Sequence, residues 1–276
     1  MSAISKLMNK SFLERLVSGI LLVIIALVTI IMGKDVLFAT IAIISLIGLS
    51  EILKVFKVNT KLPGMAAYLV AAGYLALLRL EYMEYFMPMI IGYLMILMAI
   101  YVFAFPKFHS NEIIPCFFGI FYVVVMLSYV YQVRMMEDGL YTVWLIFLCS
   151  WGCDTCAYLV GVMFGKHKMA PILSPKKSIE GAIGGLVGAA LLGFAYAYIF
   201  KENMNSINNP LILFPVVCVV GGLISMIGDL AASGIKRNND IKDYGKLIPG
   251  HGGILDRFDS VIFTAPIIYY LISFMN

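Results

Sequence analysis

Nine apolar runs limit this chain more than anything else in it. They lie at about 16–33, 36–53, 65–80, 86–105, 112–133, 141–164, 180–200, 210–229 and 258–275. A helix that crosses a bilayer needs ~20 apolar residues, and most of the runs come near that length. Backbone groups in hydrocarbon have no water to bond, so a spanning segment must be a helix or part of a closed barrel. Two-residue alternation is weak throughout, which argues against a barrel. Composition agrees, with 62% of residues hydrophobic and 13% charged, where a soluble domain has about 45–50% and about 25%. The expectation is an all-α polytopic membrane protein of about nine transmembrane helices.

The position of the charges sets the orientation. With the N-terminus in the cytoplasm, all 20 Lys and Arg except Lys34, Arg79, Arg134 and Lys201 fall on the cytoplasmic side, as the positive-inside rule requires. A missed or extra span would scramble that bias. Residues 1–15 read as a basic amphipathic lead-in carrying Lys6, Lys10 and Arg15. No small-residue cleavage site comes after the first run, so it is expected to be a retained span. The 5 cysteines all lie in apolar runs. Cys153 and Cys156 form an isolated CxxC with no second pair, so they are read as packing residues rather than metal or redox ligands.

Two polar stretches interrupt the apolar pattern, at 165–180 and 230–257, and both face the cytoplasm in this orientation. If the eighth span continues as helix, Asp229, Ser233 and Lys236 stand at i, i+4 and i+7 and share one face. An acid in an apolar helix costs about 2.5–3.5 kcal/mol on insertion, so it usually lines a polar cavity. Arg237 and Lys242 add cations nearby. Pro249-Gly250-His251-Gly252-Gly253 is a loop flexible enough to wrap a triphosphate, with glycine amides able to approach an anion. Asp256 and Asp259, at i and i+3, flank Arg257 on the opening turn of the ninth span. Mg²⁺ is commonly held by one or two carboxylates plus substrate phosphates, so Asp229, Asp256 and Asp259 are the expected metal ligands. Upstream, Ser174-Pro175-Lys176-Lys177-Ser178 reads as a loop with two cations, and Ser178 can N-cap the seventh span. Asp154 and Tyr158 stand at i, i+4 in the sixth span. Gly181, Gly184, Gly185 and Gly188 read as a helix-packing face.

These residues resemble a known signature. The run Ser233-x-x-Lys236-Arg237-x4-Lys242-Asp243-x-Gly245-x3-Pro249-x-His251-Gly252-Gly253-x2-Asp256-Arg257-x-Asp259 is similar to that of the phosphatidate cytidylyltransferase family, the CDP-diacylglycerol synthases. Asp154-x2-Ala157-Tyr158-x2-Gly161-x2-Phe164-Gly165-Lys166, then Ser174-Pro175-Lys176-Lys177-Ser178-x-Glu180-Gly181, is similar to the same family. Together the motifs cover about the C-terminal half. Ile179 departs, standing where an aromatic is expected, which bears on packing rather than chemistry.

The resemblance implies transfer of the cytidylyl group of CTP to phosphatidic acid, with a divalent cation, Mg²⁺ or Mn²⁺. It also implies a homodimer in the cytoplasmic membrane of a bacterium. No nucleic-acid partner is expected. The chain divides into 1–140 for N-terminal helices and 141–276 for the catalytic region. Asp229, Lys236, Asp256 and His251 are the expected catalytic residues. Ser174, Lys176, Lys177, Ser233, Arg237, Lys242, Gly252, Gly253, Arg257 and Asp154 are the expected substrate contacts. Two rivals remain at this point. A CTP-dependent polyprenol kinase would use the same cavity but needs a base for a hydroxyl nucleophile. A transporter of anionic solutes would place its charges near the midplane, often in repeated halves, and neither feature is visible.

Overall fold

The computed structural model describes residues 10–275, with side chains for residues 17–274. The expected lead-in at 1–15 therefore lies largely outside the described residues, and the side chains of Lys6, Lys10 and Arg15 lie wholly outside them. Among the described residues, nine helices occupy the nine apolar runs: α1 (Lys10–Met32), α2 (Lys34–Val55), α3 (Leu62–Arg79), α4 (Phe86–Phe103), α5 (Ser110–Met135), α6 (Gly139–Phe164), α7 (Ile179–Phe200), α8 (Pro210–Asn238) and α9 (Leu255–Met275). Eight are long and apolar enough to cross a membrane, and α1 adds a shorter apolar stretch, Val17–Met32. The chain is an all-α multi-pass membrane protein.

Two features differ from the sequence expectation. Helix α8 does not stop near 229 but runs on to Asn238, so the second polar loop is shorter than 230–257. The stretch 165–180 is not a plain loop. It holds an antiparallel hairpin of β1 (Lys168–Ala170) and β2 (Ser174–Ser178). Pro175 is tolerated there because a two-stranded hairpin is all edge, and an edge position needs no donated ladder bond.

The described residues pack as two compact units, one from 10–29, Asp35–Ser128 and Asp243–Asp256, the other from Ile30–Lys34, Tyr129–Lys242 and 257–275. In the first, Leu49, Ile52 and Leu53 of α2 are fully buried, as are Ala67 and Ala71 of α3, Leu97 of α4 and Ile120, Val123 and Val124 of α5. Tyr74 and Ser128 share a buried hydrogen bond of 2.7 Å between their hydroxyls. Loop residues Tyr244, Ile248 and Ile254 are buried too, as is Leu255 at the start of α9.

In the second unit, α7 packs along both α6 and α8. Its buried residues are Gly181, Gly185, Ala189, Gly193 and Ala197, a stripe of small side chains at four-residue spacing. Ile183, Val187, Leu191, Phe194 and Tyr198 on the same helix are exposed. Small residues inward and large apolar ones outward is the pattern of helices that pack in lipid, where close backbone approach replaces the hydrophobic drive. The contacts leave no slack. A Cβ on Gly184 would stand 2.5 Å from the Val160 side chain, and one on Gly188 2.5 Å from Cys156. The sequence reading of these glycines as a packing face holds, and Cys156 and Cys153 serve as their partners.

Candidate active site

A cavity of about 480 Å³ opens in the second unit, and its polar lining is Asp154, Tyr158, Lys168, Lys176, Lys177, Ser178 and Asp229. Each side chain arrives from a defined element. Asp154 comes just after a π turn at Leu148–Gly152 in α6. A π turn adds a residue to one helical turn and so re-aims the side chains beyond it. Lys168 stands on β1, Lys176 and Lys177 on β2, and Asp229 on α8. Lys177 Nζ forms an ion pair with the Asp229 carboxylate.

Further charges act on the same place. Asp154 is within electrostatic reach of Lys177, Asp229 and Arg257. Asp259 is within reach of Asp229, Lys236 and Asp154. Arg257 Nε is buried and has no hydrogen-bond partner among the described residues, an arrangement that costs free energy until an acceptor arrives. Ser233 lies half-buried one turn beyond Asp229 on the continuous α8, while Arg237 and Lys242 are exposed. The i, i+4, i+7 alignment of Asp229, Ser233 and Lys236 therefore stands on an unbroken helix, which meets the condition the sequence reading set for it.

The hairpin that carries the lysines is tied down at its end. Ser178 is the N-cap of α7, accepting from Gly181 N at 3.1 Å. Glu180 accepts from the backbone N–H of Lys166 and His167 at 3.1 and 3.2 Å, and its Oε1 lies 2.6 Å from His167 Nδ1. A carboxylate in the first turn also favours the positive end of the helix dipole. Ser174 opens β2 and is half-buried.

The glycine loop belongs to the first unit and closes on itself. Ile248 N donates to Gly252 O at 2.8 Å, and His251 N donates to Ile248 O at 2.9 Å. Gly250 and Gly252 have φ of +73° and +85°, a region where L side chains are strained. Asp256 Oδ2 accepts from Tyr244 N at 2.8 Å and from Gly253 N at 2.9 Å. Ser18 Oγ donates to Pro249 O at 3.1 Å and lies 2.7 Å from His251 Nδ1. Beneath the loop sits Glu51 of α2, 4% exposed, a residue the sequence motifs passed over. Its signal was there, because it is the lone acid between Asp35 and Glu81. Lys168 was also missed as a cavity residue, being one lysine among several in its stretch.

Among the described residues no group of three or more His, Cys, Asp or Glu is arranged to hold a metal ion by itself. What the second unit does offer is oxygen donors of acid type with a lysine ammonium resting against one of them. That donor set fits a hard cation bound by one or two carboxylates and completed by phosphates and water.

The sequence model of the cytidylyltransferase family matches residues 13–275. The chain belongs to that family. Among its relatives is the phosphatidate cytidylyltransferase of Staphylococcus aureus strain COL, 33% identical over 264 residues, which are 94% of this chain and 98% of the relative. That of Staphylococcus haemolyticus strain JCSC1435 is 31% identical over 268 residues, again 94% and 98%. A Staphylococcus saprophyticus enzyme of the same name is 36% identical over 166 residues, 60% of this chain and 61% of the relative.

Proposed function

We propose that this chain transfers the cytidylyl group of CTP to phosphatidic acid, giving CDP-diacylglycerol and pyrophosphate. The observation that carries this reading is the cavity in which Lys168, Lys176 and Lys177 face Asp154 and Asp229. Its wall includes Tyr158 and Val162 of α6, 70% and 69% exposed, so a lipid-borne substrate has an apolar approach to a charged site.

An oxygen of the phosphatidate phosphate attacks the α-phosphorus of CTP. The bond from that phosphorus to the bridging oxygen of the β-phosphate breaks, and pyrophosphate leaves with the electron pair. The nucleophile is already an anion, so no base is required. Catalysis rests on placing two anions together and neutralising their charge. Lys176 and Lys177, with Ser174 beside them, hold triphosphate or lipid phosphate oxygens. Lys236, Arg237, Ser233 and Lys242 extend the cationic surface along and beyond the end of α8. Arg257, half-buried with its Nε lacking an acceptor, is a further phosphate ligand. Asp154 orients the cations across the cavity. His251, Gly252 and Gly253 present the glycine loop to a phosphate. Asp229, supported by Asp259, would hold the divalent cation, Mg²⁺ or Mn²⁺, which offsets the charge of the triphosphate when bound, and Asp256 keeps the glycine loop in shape through the N–H groups of Tyr244 and Gly253.

The N-terminus and both polar stretches face the cytoplasm, where CTP is found, in the plasma membrane of a bacterium. Bacterial relatives and the basic-residue bias support this placement. The homodimer implied by the family resemblance is part of the same reading. The polyprenol kinase is not favoured, since a neutral alcohol needs no second set of cations. The reaction is tested by its by-product, which is pyrophosphate for the cytidylyltransferase and CDP for a kinase.

A further inference from the structure

The loop that joins α8 to α9 carries its glycines over a buried acid that no motif includes. Glu51 Oε1 accepts from Ile254 N at 3.0 Å, and Oε2 accepts from Leu255 N at 2.9 Å. Both amides open helix α9, so they have no partner within the helix. The Glu51 carboxylate is the only side chain among the described residues seen to accept from either. The fit is tight on the loop's inner side. A Cβ on Gly245 or on Gly253 would come within 2.4 Å of Glu51 Oε1, so both positions need glycine to lie against the acid. On the other side of Gly253, its own N–H donates to Asp256 at 2.9 Å. Gly253 is held between two carboxylates.

We infer that Glu51 is a positioning residue for the reaction, fixing the 245–255 loop in the form that receives the CTP phosphates. It touches no substrate. A fixed acid satisfies the amides at the loop's end before substrate arrives, so the ordering of the loop is already in place and is not drawn from the binding of CTP. The inference rests on the reading of this loop as part of the nucleotide site.

The test uses the full-length protein in lipid nanodiscs, with steady-state kinetics in CTP and in phosphatidic acid. Glu51→Gln keeps the shape and one acceptor but turns an amide donor toward the second backbone N–H. The expected result is a rise in KM for CTP of about tenfold or more, as for loss of groups that orient ligands. KM for phosphatidic acid stays near wild type, and the melting temperature falls by only a few degrees as one buried N–H loses its acceptor. A merely structural role would lower the amount of folded protein and leave KM for CTP unchanged, which overturns the inference. Gly253→Ala separates the two layers of argument. If it raises KM for CTP while Glu51→Gln does not, the loop remains at the site and the role of Glu51 falls. If neither variant moves KM for CTP, both the inference and the placement of the loop at the nucleotide fall. Should Glu51→Gln not fold, Glu51→Asp carries the same measurement with the charge kept, and failure of both to fold assigns Glu51 to stability alone and overturns the proposal.

Discussion

Asp229 places an acid near the end of a helix whose preceding residues, from Pro210 to Gly228, carry no charge. Such an acid costs about 2.5–3.5 kcal/mol on insertion scales, and Lys177 offsets part of this by pairing with it. If Asp229 serves the cation and Asp256 holds the glycine loop, removing either charge while keeping the shape removes turnover. Asp229→Asn and Asp256→Asn are each expected to lower kcat by about 100-fold or more, an effect of the size seen when a preorganised charge group is lost. The measurement is turnover at saturating Mg²⁺ together with the melting curve. Wild-type rates in either variant would remove that residue from the catalytic machinery. Asp154, Asp229 and the Lys176-Lys177 pair were legible in the sequence because polar residues stand out against apolar runs. Glu51 was not, since its partners are more than 200 residues away in sequence and its value lies in a tertiary contact.

The helices themselves were legible to within a few residues at most of their ends, because the apolar runs and their polar ends are the physical cause of spanning. Hydropathy does not show where local hydrogen bonding departs from the pattern. The π turn ahead of Asp154 and the hairpin around Lys176 leave no mark in it. Nor does the continuation of α8 to Asn238, whose last turns are polar yet helical. The small-residue stripe of α7 was visible as spaced glycines, and the structure supplies its partners on α6. Gly184→Leu tests how much that contact carries. The new Cβ would stand 2.5 Å from Val160 Cβ, Cγ1 and Cγ2, so the two helices must separate. Overpacking of this kind costs about 1–3 kcal/mol and sometimes more. A lowered melting temperature in detergent, with less protein recovered folded, is the expected result. An unchanged melt would show that α6 and α7 do not depend on this approach.

At the scale of the whole molecule, the exposed surface is itself largely apolar, with Val17, Ile43, Leu69, Phe103, Val162 and Leu191 among the residues open to their surroundings. Only lipid makes such a surface stable, and the basic-residue bias then decides which end meets the cytoplasm. A single cysteine placed at Asn239, with the native cysteines all inside helices, is expected to react with a permeant maleimide and to be shielded from an impermeant one in intact cells. Labelling by the impermeant reagent would invert the topology and put the site on the wrong side for CTP. The central claim concerns which bond of CTP is broken. Purified protein is given Mg²⁺, phosphatidic acid and CTP labelled at either the α- or the γ-phosphorus, and the lipid fraction is counted. The account predicts that the α-label enters the lipid and the γ-label leaves as pyrophosphate. Recovery of the γ-label in lipid, or incorporation only when a polyprenol is supplied, would contradict it.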